Sequence, residues 1–169
     1  MKLIILDRDG VINFDSMEYI KTPDEWIPIP GSLEAIARLT QAGYTIGVAT
    51  NQSGIARGYY DLPTLNAIHD KMLTLVTAAG GHIAKIVYCP HMPDAGCRCR
   101  KPQPGMLLDL AAYFNCDLSN VPYLGDRETD IETGLAAGAK PVLISTDSTP
   151  PPGIPRFASL AIYVNTLLT

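Results

Sequence analysis

The chain of 169 residues is long enough to bury a substantial core in one domain, and its 47% hydrophobic and 18% charged residues exclude a disordered chain. A formal net charge of −4 argues against nucleic acid or a membrane surface as the main partner. No apolar run approaches the length of a membrane span, and Leu3–Leu6 is too short for a signal peptide. The expected setting is therefore a reducing cytoplasm, where cysteines serve as ligands and not as disulfides.

In chain order, "KLIIL" (2–6) is a short continuous apolar run, the pattern of a strand covered on both faces. "SLEAIARLTQAG" (32–43) sets Leu33, Ile36 and Leu39 at helical spacing, with Ser32 as N-cap and Gly43 as stop. "YTIGVAT" (44–50) is a second strand. Residues 61–81 form the clearest helix, with a stripe of Leu65, Ile68, Met72, Leu75/Val76 and Ala79, Asp61 as cap and Pro63 in the first turn. "HIAKIVYC" (82–89) is a third strand and "GMLLDLAAYF" (105–114) a further helix. "VPYLG" (121–125) and "KPVLI" (140–144) are strands flanking a helix near 129–137. The tail carries the proline-rich "STPPPGIP" (148–155), then "AIYV" (161–164) and a last half-helix.

Strands separated by single helices imply right-handed crossovers and a mainly parallel sheet. The expected fold is a three-layer, Rossmann-like α/β domain spanning residues 1–169, with a core of about 2–145 and the tail packed on it. The gaps between motifs leave no room for a separate cap domain.

Ligands of open parallel sheets bind beyond the carboxyl ends of the strands. Four such ends carry polar signatures: "DRDG" (7–10), "TNQSG" (50–54), "RKP" (100–102) in the loop after the third, and "GDRETD" (125–130). Asp7, Asp9 and Asp126 offer three hard oxygen donors, a set suited to Mg²⁺. Thr50 and the amides of Asn51 to Gly54 are placed to hold phosphoryl oxygens, and Lys101 adds a point charge. Phosphoryl transfer consists mostly of positioning and charge neutralisation, and these are its parts. The bland alternatives are turn residues for Asp7 and Asp9, a surface lysine for Lys101, and a helix-start charge for Asp130. His69 is read onto the polar flank of its helix, His82 onto a strand start, and Cys116 as a half-buried apolar filler.

"CPHMPDAGCRC" (89–99) supplies Cys89, His91, Cys97 and Cys99 in the pattern C-x-H-x5-C-x-C. Three thiolates and an imidazole complete a tetrahedral Zn²⁺ set with no open position, the mark of a structural site. Soft ligands make it a poor Mg²⁺ site. Arg98, Arg100 and Lys101 interleave with or follow the ligands and offset the negative charge of a tris-thiolate zinc.

Strand-DxDG, strand-T, a lysine and strand-GDxxxD together resemble the haloacid dehalogenase (HAD) superfamily of aspartate-nucleophile phosphatases over about residues 2 to 145. "LDRDGVIN", "TNQSGIARG", "YCPHMP" and "CRCRKPQPGML" resemble its D-glycero-D-manno-heptose 1,7-bisphosphate 7-phosphatase branch. The histidinol-phosphate phosphatases share the zinc loop and the first motif, and "GDRETD" is similar to their form. The resemblance implies Asp7 as nucleophile and Asp9 as general acid and then base. It implies Mg²⁺ held by Asp7, the backbone carbonyl of Asp9 and Asp126, with Thr50 and Lys101 clamping the phosphoryl group. Substrate recognition would fall to Asp15, Ser16, Met17, Glu18, Asn51, Gln52, Ser53 and Arg127, with Arg57 and Arg100 as partners for a second phosphate. The implied substrate is a heptose bisphosphate on the way to nucleotide-activated heptose and the lipopolysaccharide core, handled by a monomer. The rival from another class is a non-catalytic, zinc-stabilised binding module.

Overall fold

The computed structural model describes residues 1–169. Six strands form one sheet in which every pairing is parallel: β1 (Lys2–Leu6), β2 (Tyr44–Asn51), β3 (Lys85–Cys89), β4 (Pro122–Gly125), β5 (Lys140–Ile144) and β6 (Arg156–Phe157), in the order β3-β2-β1-β4-β5-β6. The alternation of side chains along each strand splits the core into two layers. Ile4 and Leu6 of β1, with Ile46, Val48, Leu124, Val142 and Ile144, face one side. Leu3, Ile5, Ala49 and Tyr123 face the other.

The first side is covered by α1 (Ser32–Gln41), α2 (Leu62–Ala78) and α5 (Leu160–Leu167), through Ile36, Leu39, Ile68, Met72 and Val164. The second is covered by α3 (Gly105–Phe114), through Met106, Leu107 and Leu110, and by α4 (Glu128–Ala136), where Gly134 lies against Tyr123 and Pro141. The first two crossovers thus run over one face and the next two over the other. Strand order reverses between β1 and β4, and the crevice at such a switch point is where open α/β sheets bind ligands. No helix is long and apolar enough to cross a membrane.

Several local expectations are corrected. Ser32 is not the N-cap of α1; Gly31 holds that place, and the Ser32 hydroxyl donates to the Val11 carbonyl at 2.9 Å. "AIYV" lies inside α5, because Ser159 caps that helix by accepting from the Ile162 amide, while the added strand is Arg156–Phe157. His69 is buried on α2 and not on its polar flank.

The long connection from β1 to α1 folds back as a flap. Asn13 bridges to Pro28, and the Phe14 amide donates to the Ile27 carbonyl. Ile20 and Trp26 are buried beneath it, and side chains of this size contribute about 2–3 kcal/mol each on burial. Lys71 of α2 donates to the carbonyls of Pro23 and Trp26 at 2.7 Å each, which closes the turn at Pro23–Glu25.

Candidate active site

Asp7 follows the last residue of β1, and its amide donates to the Leu124 carbonyl at 2.8 Å, tying it to the end of β4. Asp126 lies just beyond β4. Gly10 lets the two approach: its φ is +85°, and a β-carbon there would sit 2.1 Å from Asp126 Oδ2. Asp130 reaches in from the first turn of α4. One ligand oxygen from each of Asp7, Asp126 and Asp130 lies within 4.8 Å of the others.

Lys101 enters this cluster from the loop after β3 and is almost wholly buried. Its ammonium lies 2.9 Å from Asp7 Oδ1, 2.9 Å from Asp130 Oδ1 and 2.8 Å from the Ala49 carbonyl. Burial lowers its pKa, but the charges of Asp130 and Asp7 outweigh burial and hold the ammonium protonated above its usual range. Asp130 also accepts from the Tyr123 hydroxyl at 2.7 Å and from the Arg127 amide at 3.2 Å. With both its oxygens engaged by protein donors, Asp130 is a support for Lys101. The sequence alone is equally consistent with a helix-start charge at Asp130, and only the Asp-x3-Asp spacing of "DRETD" hints at more.

Three carboxylates against one ammonium leave two negative charges in a buried site. Burial and then the charge of Asp130 raise Asp7 well above the carboxylate range, and the same causes lift Asp126 to about 6. Three oxygens have no protein donor to relieve this: Asp7 accepts from Lys101 and from the Arg8 amide at Oδ1 alone, which leaves its Oδ2, and neither oxygen of Asp126 accepts a bond from a donor. Hard oxygen donors with an uncompensated double charge fit a divalent cation such as Mg²⁺.

Asp9 stands apart from that cluster. Its Oδ1 accepts from Arg8 Nε at 2.8 Å and Asn13 Nδ2 at 2.9 Å, whereas Oδ2 has only a long 3.4 Å contact from Gln52 Nε2. Burial raises its pKa, but the charge and hydrogen bond of Arg8 and the bonds from Asn13 and Gln52 bring it below the usual value. Oδ2 is thus the oxygen left free to take or give a proton. Gln52 also donates to Thr50 Oγ1 at 2.9 Å and accepts from the Tyr60 hydroxyl at 2.5 Å, so it links the β2 signature to Asp9.

A cavity of about 550 Å³ opens over these groups, a size suited to a phosphorylated sugar. Asp7, Asp9, Thr50, Lys101 and Asp126 line it, as do Asn51, Gln52, Ser53 and the flap residues Asp15, Ser16 and Met17. Glu18 does not line it and points its carbonyl to Lys21 instead. Three arginines stand at the mouth. Arg57 bonds Ser53 Oγ at 3.2 Å and lies 5.6 Å over the Tyr19 ring, and Arg100 donates to the His91 carbonyl at 3.3 Å. Arg127 pairs with Asp15 at 2.7 Å across the cavity edge. Asp130 also lines it, and Tyr19, Ile20, Glu128 and Thr129 are lining residues given no role from the sequence.

Cys89, His91, Cys97 and Cys99 converge beside this cavity, with all four ligand atoms within 4.8 Å. Cys89 Sγ is 3.7 Å from Cys97 Sγ and 3.4 Å from His91 Nδ1, and Nδ1 is 3.2 Å from Cys99 Sγ. A sulfur–sulfur edge of about 3.8 Å is what a tetrahedron with 2.3 Å Zn–S bonds requires, so the set fits Zn²⁺. The sulfurs are too far apart for disulfides, and all four cysteines are free. Cys116 is half-buried against the second core layer, as expected. The loop closes tightly: the Gly105 amide donates to the Arg98 carbonyl at 3.0 Å, and a β-carbon at Gly105 would lie 2.2 Å from that oxygen. The backbone amide of Lys101 donates to Asn51 Oδ1 at 3.2 Å, and that of Gln52 to the Cys89 carbonyl at 2.7 Å. The ligand loop and the β2 signature are therefore stitched together.

A parallel sheet with strand-end aspartates, a threonine and a buried lysine defines the class of HAD-like hydrolases. The HAD-hydrolase-like family model matches residues 98–168. The D-glycero-β-D-manno-heptose-1,7-bisphosphate 7-phosphatase of Pseudomonas putida is 60% identical over 146 residues, covering 86% of this chain and 83% of that relative. The crystal structure of D,D-heptose 1,7-bisphosphate phosphatase from B. bronchiseptica, complexed with magnesium and phosphate, matches with a TM-score of 0.96 and 50% identity over 99% of this chain and 98% of that one. The corresponding Burkholderia thailandensis structure matches with a TM-score of 0.77 and 38% identity, covering 100% and 99%. The chain belongs to the heptose-1,7-bisphosphate 7-phosphatase family of HAD phosphatases.

Proposed function

We propose that this chain removes the 7-phosphate of D-glycero-β-D-manno-heptose 1,7-bisphosphate, working as a single-chain, Mg²⁺-dependent enzyme of the cytoplasm with a structural Zn²⁺. The observation that carries the reading is the donor-free oxygen of Asp7, aimed into a 550 Å³ cavity beside a buried, protonated Lys101 and below three arginines. The β-anomer rests on the name of the P. putida relative. Free thiols suit a reducing compartment.

Asp7, Asp126 and the backbone carbonyl of Asp9 are the groups that would hold Mg²⁺. When bound, the ion supplies the charge neutralisation that lets a carboxylate meet a phosphate dianion. Asp7 Oδ2 attacks phosphorus, a new P–O bond forms on Asp7, and the bond from phosphorus to the sugar oxygen breaks. The departing alkoxide takes a proton from Asp9 Oδ2. That proton arrives with the substrate, since a phosphate monoester has its second pKa near about 6 and enters partly protonated. Thr50 and Lys101 bind the phosphoryl oxygens throughout. Asp9, now ionised and held so by Arg8, then takes a proton from water as the water attacks phosphorus and releases Asp7.

Cys89, His91, Cys97 and Cys99 would hold Zn²⁺, keeping Arg100 and Lys101, which directly follow the last ligand, in register with the cavity. Arg57, Arg100 and Arg127 outnumber the mouth's acidic Asp15 and Glu128, which favours a second phosphate over the cationic amine of histidinol phosphate. The test is a phosphate-release assay comparing the two anomers of heptose 1,7-bisphosphate, histidinol phosphate and simple hexose phosphates. Preference for the β-bisphosphate is expected; preference for histidinol phosphate would overturn the substrate, and no release from any of them the enzyme.

A further inference from the structure

Arg8 lies between the two catalytic aspartates, yet its side chain is wholly buried and does not line the cavity. A guanidinium removed from water must place its donors or lose several kcal/mol. Arg8 Nε goes to Asp9 Oδ1 at 2.8 Å, Nη1 goes to His69 Nε2 at 3.1 Å, and Nη2 has no partner. Arginine has no acceptor, so His69 Nε2 must offer a lone pair and its ring proton must sit on Nδ1. Burial and then the Arg8 charge hold the imidazole neutral by lowering its pKa to about 3. His69 comes from α2, a crossover helix that contributes nothing to the cavity lining.

We propose that His69 is a positioning residue for proton transfer: by accepting from Arg8 Nη1 it fixes the guanidinium, which in turn holds the Asp9 carboxyl with Oδ1 engaged and Oδ2 turned to the substrate. This rests on the reading of Asp9 as the acid that protonates the leaving oxygen. Removing the acceptor leaves both Nη groups of Arg8 unpartnered and frees the guanidinium to rotate away from Asp9. A displacement of about 1 Å at a reacting group costs on the order of 10²-fold in rate.

The experiment compares kcat/KM on heptose bisphosphate and on p-nitrophenyl phosphate, using full-length, zinc-loaded protein with Mg²⁺. This constant ends at the first irreversible step, departure of the leaving group, and nitrophenolate needs no proton to leave. Asp9→Asn is expected to depress the sugar substrate far more than the aryl one. His69→Leu is expected to show the same split at about 10- to 100-fold against less than about 3-fold, with KM little changed, and His69→Gln, whose carbonyl restores an acceptor, to recover most of the loss. Should His69→Leu not fold, His69→Met carries the same prediction, and Arg8→Lys repeats it from the other side of the contact. Equal losses on both substrates in the acceptor-less variants, or glutamine no better than leucine, would overturn the role of His69 while leaving Asp9 intact. Equal losses in Asp9→Asn would overturn the reading of Asp9, and the proposal with it.

Discussion

The carboxylates at the ends of β1 and β4 and the thiols after β3 lie at the same edge of the sheet, and both are shaped to hold a metal. The first set is hard, buried and charge-frustrated: Asp7 and Asp126 repel each other and Asp130, and Lys101 offsets only one of the three charges. The second set is soft, lies on a partly exposed loop and saturates a tetrahedron. A site that must meet substrate leaves an ion incompletely satisfied, whereas a site that must hold a loop satisfies it completely. On the proposed function the difference separates chemistry from scaffolding within a few residues of chain, since Cys99 and Lys101 are only two positions apart.

The largest expected effect tests which cluster is chemical. Asp7→Asn should reduce kcat by about 10⁴-fold or more while the protein still unfolds cooperatively and still binds zinc, as read by turnover and zinc content. Comparable turnover in that variant would break the comparison at its base. Next, Cys99→Ser or zinc removal by a chelator should lower stability by several kcal/mol and weaken substrate binding together. A stable, zinc-free protein with unchanged KM would make the loop ornamental.

A third test uses the frustration itself. Asp126 has its folded-state pKa raised to about 6 from an ordinary 3.8, so the folded state binds the extra proton. Its contribution therefore favours folding below about pH 4 and is lost as pH rises through about 6. Metal-free Asp126→Asn should be more stable than the parent at pH 7, by on the order of 2 kcal/mol, with the gap closing toward pH 4. Chemical denaturation at the two pH values checks this, and a variant destabilised at pH 7 would deny the frustration. The smallest effect is on the ligand loop's outer face. Arg98 and Asp109 pair at 3.2 Å with both side chains at least half exposed, so Arg98→Ala should change stability by less than about 0.5 kcal/mol.

Much of this was legible because it is local. Apolar runs separated by single helical stripes define the sheet, and Asp7, Thr50, Lys101 and Asp126 fall at strand ends or in the loop that follows one. The Cys89, His91, Cys97 and Cys99 cluster is legible from spacing alone. What escaped depends on distant contacts or on short ambiguous runs. "AIYV" is apolar enough for either a strand or a helix, and the Ser159 cap decides it. Asp130 becomes a support for Lys101 only because α4 and the loop after β3 meet. His69 sits at a position where a helical stripe alone cannot say what its neighbour will be, and that neighbour is the arginine between Asp7 and Asp9.

The central claim is that phosphorus passes through Asp7. Rapid quenching of a single turnover on radiophosphate-labelled heptose bisphosphate, followed by peptide mapping, tests it directly. Transient, base-labile label on the peptide containing Asp7, absent in Asp7→Asn, is the predicted result. Product formation with no covalent label at any time, or label confined to another residue, would contradict it.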